Sequence, residues 1–464
     1  MPLAPIRKRA FSGHNWVRIK TGAPGERAPG PRTTQPRYSH LTAFISIPVS
    51  LPIIAIWLIA ALTIGCVLGR PGNLPEAVYA TIGAALLVIC GLLPWLSAWK
   101  AVGKGLDVYL FLSGMMLLSE LARREGVFDW CAAVAVGHAR QSSARLFWLI
   151  YGVGVIVTVF LSNDATAVVM TPAVLAATKA AKVRKPLPYL FACALVANAA
   201  SFVLPISNPA NLVLFGGNMP PLLEWLKVFA VPSLLSVTAT GGALFLVMRR
   251  DFAEPISEPP KSVKLSAAGR VAMGGVGFAI VALLAASALK ADLGAPTLGV
   301  GILALLLVTI KDRRAMWETA KDVSWSVLPL VAGLFVIVEA VNQAGALKLS
   351  VQALAALGKM PQWQSDLFGA FGVSAISNVI NNLPSGLITG TAVSHAHVAD
   401  SLRNALLIGV DLGPNFSVTG SLATILWLIA LRREKQEVSA WSFLKVGLVV
   451  TPLALILSVL ASHI

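Results

Sequence analysis

Two carboxylates stand in stretches that would otherwise be unbroken apolar sequence. Asp164 lies in Leu161-Ser162-Asn163-Asp164-Ala165-Thr166, which ends the apolar run from Leu146 and opens another through Ala180. Asp411 lies in the run Gly409-Val410-Asp411-Leu412-Gly413-Pro414-Asn415. An ionisable side chain inside a membrane segment is costly and marks a functional site by default. Such a carboxylate can hold a proton or a cation, or it can accept hydrogen bonds from a solute. A plainer reading stands beside each. Asn163 and Asp164 begin a helix, where such side chains cap free N–H groups. Asp411 can be a structural carboxylate satisfied by Ser or Thr hydroxyls.

Amides and hydroxyls accompany both acids. Asn381 and Asn382 lie in a second break, Ser377 to Pro384, that has no carboxylate. Asn198, Ser207, Asn208 and Asn211 flank Pro205 and Pro209, and a segment with two prolines will not stay helical through a membrane centre. Thr419 and Ser421 follow Asp411 in the corresponding late segment. The candidate substrate-binding set is therefore Ser162, Asn163, Asp164, Asn198, Ser207, Asn208, Asn211, Asn381, Asn382, Asp411, Thr419 and Ser421, with Asp164 and Asp411 as the proton-coupling pair. It contains no Lys or Arg. It suits a small neutral polyhydroxyl solute or a cation, and a charged organic acid would have to rely on helix N-termini. Glu120 and Glu339 fall near the ends of apolar segments. Arg123 and Arg124 beside Glu120 predict an interfacial ion pair there.

Several classes are excluded. The chain is 56% hydrophobic and 12% charged, with mean hydropathy +0.76, against about 25% charged residues in soluble domains. The net charge of +16 is spread over short loops between apolar segments, as the positive-inside rule expects, so nucleic acid is not the partner. Cys66, Cys90, Cys131 and Cys193 are scattered and read as small core residues, with no disulfide or metal spacing. No phosphate-binding Gly-Lys-Ser/Thr loop is present, so the chain does not itself hydrolyse ATP. No cofactor is expected.

The elements that must position these residues are membrane spans. Apolar segments long enough to cross fall near 42–69, 75–97, 106–122, 188–215 and 223–248, and again near 271–289, 296–311, 326–343, 402–431 and 441–462. Between the third and fourth of each set lies a paired segment, 144–180 and 365–397, read as a re-entrant hairpin with a polar tip. Gly114, Glu120, Gly126 and Asn163 recur as Gly333, Glu339, Gly345 and Asn382, each 219 positions later. The expected architecture is all-α and polytopic, with inverted repeats of five transmembrane helices plus one hairpin each, over 41–250 and 269–464. Residues 251–268 form a cytoplasmic linker, and 1–40 a disordered basic tail without a signal-peptide pattern. Loop charges place Arg123, Arg124, the Lys179–Lys185 cluster, Arg249, Arg250, Arg432 and Arg433 in the cytoplasm. Ten crossings then put both termini outside, at odds with a basic tail.

At these residues the sequence resembles the ArsB-type arsenite efflux permeases of the ion-transporter superfamily. The resemblance runs from about residue 45 to the C-terminus. It is carried by Ser162-Asn163-Asp164-Ala165-Thr166 with Met170-Thr171-Pro172, by Asn381-Asn382-Leu383-Pro384, and most strongly by Asp411-Leu412-Gly413-Pro414 with Gly420-Ser421-Leu422-Ala423-Thr424. Gly114-Met115-Met116-Leu117-Leu118 also fits. The resemblance implies efflux of As(OH)₃ or Sb(OH)₃ in exchange for protons by alternating access in the cytoplasmic membrane, in some systems with a soluble ArsA-type ATPase partner. Asn198 and Asn415 stand where some relatives carry an acid and a Lys. Silicic acid exporters, sodium/proton antiporters and dicarboxylate carriers share the superfamily and are the alternatives. The oligomeric state stays open.

Overall fold

The computed structural model describes residues 50–216, 219–254, 256, 264–310 and 313–463. The expected tail lies outside them, as do residues 42–49 of the first expected span and 255 and 257–263 of the expected linker. Among the described residues every regular element is helical.

The first series is α1 (Leu51–Gly69), α2 (Glu76–Ile89), α3 (Trp95–Lys104), α4 (Leu106–Arg124), α5 (Val127–His138) and α6 (Ser143–Phe160). An arm follows, made of α7 (Asn163–Ala165), a π-helical stretch Thr166–Met170 and α8 (Thr171–Ala180). Pro172 has no N–H for the carbonyl four residues back, and the ladder widens just before it. Then come α9 (Leu187–Ala199), α10 (Pro209–Phe215) and α11 (Leu222–Met248). The second series repeats this order: α12 (Ala267–Ala288), α13 (Gly294–Thr309), α14 (Arg313–Asp322), α15 (Val327–Val341), α16 (Leu347–Leu357), α17 (Gln362–Ile380), α18 (Asn382–Ala396), α19 (Asp400–Leu412), α20 (Leu422–Arg433) and α21 (Ala440–Ala461).

Among the described residues, six stretches are long and apolar enough to cross a membrane, or seven if the pair α3–α4, bent by 47°, is one span. The sequence predicted ten crossings. The expected span 75–97 stops early, because Gly91 at φ 69° and Pro94 turn the chain after Ile89. α4 carries Asp107, Glu120, Arg123 and Arg124, which keep it from qualifying alone. The expected crossings 188–215 and 402–431 are each broken into short helices. Leu58, Leu62, Ile89, Leu234 and Val281 stand exposed on the outer surface. An apolar belt of this kind suits hydrocarbon and would drive association in water.

The four repeated residue pairs each have a structural cause. Gly114 and Gly333 sit where α4 meets α13 and where α15 meets α2; a Cβ on Gly114 would stand 2.3 Å from the Thr297 carbonyl oxygen, and one on Gly333 2.8 Å from the Ala80 backbone. Gly126 and Gly345 follow those helices at φ 71° and 105°, a region that glycine enters without a Cβ clash. Glu120 binds the Arg123 guanidinium (Nε–Oε2 2.9 Å), as predicted, and Glu339 binds Lys104 at 3.0 Å. Asn163 and Asn382 are each the first residue of the helix that follows a polar break. Packing between the series is reciprocal: α4 on α13 and α15 on α2, α10 on α18 and α20 on the α7–α8 arm, α11 on α21. The cysteines meet the core expectation at Cys193 and depart from it at Cys90. Cys193 is buried, Cys66 and Cys131 are half-buried, and Cys90 is exposed at the end of α2.

Candidate functional site

Four helices begin at one place. α7 opens with Asn163, α18 with Asn382, α10 with Pro209 and α20 with Leu422, and all four of these residues or their neighbours line one space of about 320 Å³, counted to its open mouth. Ser162, Asn381, Asn208 and Ser421 are the N-caps of these helices; their side chains accept from the N–H groups of Ala165, Leu383, Ala210 and Thr424. The cap expected from Asn163 and Asp164 is supplied instead by Ser162, and at the second break by Asn381. Free N–H groups and aligned peptide dipoles give such ends a partial positive charge. Four of them facing one space favour oxygen atoms that carry negative or partial negative charge.

The side chains lining the space include Asn163, Asp164, Asn208 and Asn382, with Leu112, Val327, Val331, Leu383 and Leu422 as its apolar wall. Asn163 uses its side-chain oxygen on the Asp164 N–H at 2.9 Å. Among the described residues the Asp164 carboxylate and the Asn382 amide take no side-chain hydrogen bond, which leaves both to a solute. Neither Lys nor Arg lines the space.

Asp411 stands elsewhere. It is fully buried in α19 and accepts a hydrogen bond from Asn208 Nδ2 at 2.8 Å. It reaches the space only through Asn208. Its second oxygen, Oδ2, is buried, and the Ser201 hydroxyl lies against the same carboxyl group.

The remaining predicted residues brace the breaks. Asn198 donates to Asn415 Oδ1 at 2.9 Å, and Asn415 donates to the Leu195 carbonyl at 2.9 Å, so α9 and the segment after α19 are pinned together. Asn211 Nδ2 points at the carbonyls of Ser201 (3.0 Å), Leu204 and Pro205, which the break strips of helical partners. Ser207 donates to the Val159 carbonyl at 3.0 Å, and Thr419 to the Asn378 carbonyl at 2.8 Å. Val159 and Asn378 are again 219 positions apart, so each break is tied to its hairpin at the same place. Asn378 was not among the predicted residues. It donates to the carbonyls of Ser374 and Gly413 and accepts from Ser417, joining α17 to the second break. Its position beside Ser377 in the polar break was the available signal. Asn381 holds φ 78°, ψ 153°, a strained conformation for a non-glycine residue, at the second hairpin tip. Ser162 at the first tip is extended.

Helices that span a membrane, interrupted at a common polar space, define a multi-pass membrane transporter. The chain belongs to the family described as CitMHS, citrate transporter, whose match covers residues 41–410. It is similar to the arsenical pump membrane protein of Escherichia coli, at 25% identity over 85% of this chain and 94% of that one. A putative arsenical pump membrane protein of Bacillus subtilis is 22% identical over 83% of this chain and 94% of its own. An uncharacterized transporter of Mycobacterium tuberculosis is 25% identical over 82% and 92%. In fold it is similar to the YdaH transporter of Alcanivorax borkumensis, with a TM-score of 0.54, 14% identity, and coverage of 89% of this chain and 98% of that one. The resemblance to arsenite permeases is borne out by these relatives, and the protein is a secondary transporter, not an enzyme.

Proposed function

We propose that the chain exports arsenite and antimonite, as neutral trihydroxides, across the cytoplasmic membrane in exchange for protons. One observation carries the reading: the space at the four helix N-termini holds one carboxylate, Asp164, with the Asn163 and Asn382 amides and no cationic side chain. A trihydroxide has O–H groups to donate to the carboxylate and oxygens to accept from helix N–H groups and amides. In the mechanism, ionised Asp164 binds the solute from the cytoplasm. A proton taken up from outside neutralises Asp164, removes its pull on the hydroxyls and releases the solute. Asp411 acts through Asn208, holding that amide in the wall. The ties Ser207–Val159 and Thr419–Asn378 make each hairpin and its break one unit, and we read the two series as inverted repeats whose hairpin units expose the site alternately.

An organic-anion carrier is the second reading. The converging helix N-termini support it, as does the family's description. The lone carboxylate without a cation weighs against it, because an anionic substrate would meet Asp164 unshielded. Cells lacking their own arsenite efflux test the choice. Expression should lower arsenite retention, and Asp164→Asn should return it to the level of cells without the protein while inserting normally. Wild-type retention in Asp164→Asn cells would sink the proposal.

A further inference from the structure

A second space of about 470 Å³, counted to its open mouth, adjoins the Asp164 cavity and shares Val331, Leu383 and Leu422 with it. Its lining includes Asn381 at the second polar break and Glu76 in the first turn of α2. Ile64 and Leu68 of α1, Leu330 and Leu334 of α15, and Ile425 of α20 form its walls. Its polar lining residues are Glu76, which pairs with Arg70 at 3.2 Å, and Asn381. The repeat supplies a comparison. Moving 219 positions along or back places Leu283 for Ile64, Ser287 for Leu68, Met115 for Leu334 and Leu161 for Ile380. Leu283, Ser287 and Leu161 are buried, whereas Ile64, Leu68 and Ile380 are half-buried; Leu334 and Met115 are both buried, and of the two Leu334 lines the space. The packing along α1 and at Ile380 is thus looser than at the counterpart positions.

We infer that this apolar vestibule is the half-path by which solute reaches the Asp164 cavity, that it admits uncharged solutes and rejects ions, and that its Glu76 mouth faces the cytoplasm. The inference rests on the transport reading for what the solute is, and on the repeat for where the closed path lies. An ion entering an apolar passage sheds hydration that the walls cannot replace, whereas a neutral hydroxylated molecule loses far less. Selectivity for neutral species is then set in the passage, before the solute meets Asp164. Sidedness follows from the loops: α2 and α4 lie on either side of α3, so the start of α2 shares a face with Arg123 and Arg124 at the end of α4.

Thiol labelling tests this without transport. Glu76→Cys, Leu334→Cys and Met115→Cys are made singly in the full chain. Everted membrane vesicles are treated with neutral N-ethylmaleimide or with a sulfonated methanethiosulfonate, and labelling is read peptide by peptide by mass spectrometry, so the natural cysteines stay in place. Glu76→Cys should react with both reagents. Leu334→Cys should favour the neutral reagent by about tenfold or more relative to Glu76→Cys, as an apolar filter requires. Met115→Cys should react with neither. Equal access of the sulfonated reagent to Leu334→Cys, or Met115→Cys reacting as fast as Leu334→Cys, overturns the inference. Should Leu334→Cys fail to insert, Leu68→Cys takes its place. Saturating arsenite should slow labelling at Leu334→Cys. If the pattern holds and arsenite gives no protection, the arsenite reading falls and the path stands.

Discussion

Asp164 and Asp411 look alike in the sequence and differ in place. Asp164 lines the space with its carboxylate free of side-chain partners, while Asp411 lies behind Asn208. The sequence could mark both as buried acids in polar breaks, but which of them meets a solute depends on how two broken helices stack, and spacing does not encode that. The difference predicts different phenotypes. Asp411→Ala leaves the buried Asn208 amide without its hydrogen-bond partner and should cost roughly 1–3 kcal/mol of stability, the penalty for a buried polar group left unsatisfied. It should be non-additive with Asn208→Ala in thermal unfolding of the purified protein, since the two share one bond. Additive losses would show that Asp411 works through another contact. Asn381 offers a second residue-scale check. Its strained φ of 78° implies that Asn381→Gly unfolds no more easily than wild type, while Asn381→Val loses about 1–3 kcal/mol. Similar unfolding temperatures for both variants would contradict the strain.

At the scale of elements, the polar breaks were legible because hydrogen-bonding side chains in apolar sequence have few uses other than capping, bracing and binding. Ser162, Asn208, Asn381 and Ser421 cap; Asn198, Asn211, Ser207 and Thr419 brace; Asn163, Asp164 and Asn382 are left facing the space. Helix lengths were less legible. The early end of α2 depends on Gly91 and Pro94, which hydropathy averages over. The repeated glycines give the sharpest element-scale prediction. Gly114→Leu and Gly333→Leu should each prevent stable packing of α4 on α13 or α15 on α2, because even a Cβ meets backbone there. Gly114→Ala should already cost about 1–3 kcal/mol, as overpacked sites do. Size-exclusion profiles and unfolding temperatures in detergent measure this, and a monodisperse Gly114→Leu protein of wild-type stability would contradict the close approach.

For the whole molecule, a constant offset of 219 positions predicted a duplicated plan, and the element order follows it closely up to α18. The offset falls to 213 at the broken helices, where Leu422 answers Pro209. The matches visible in sequence therefore stopped at Asn382. Reciprocal ion pairs repeat the plan at its edges: Arg124 at the end of α4 pairs with Glu318 on α14, and Glu339 at the end of α15 pairs with Lys104 on α3. These are surface pairs and contribute little to stability, about 0–1 kcal/mol each. The function we propose for this plan is proton-coupled movement of a neutral metalloid through the Asp164 cavity. The most direct measurement is arsenite uptake into proteoliposomes containing the purified protein, with a pH gradient imposed and internal pH followed by a dye. The account predicts uptake that depends on the gradient, proton movement in the opposite direction, and neither in Asp164→Asn. Uptake that ignores the gradient, or that survives in Asp164→Asn, would contradict it.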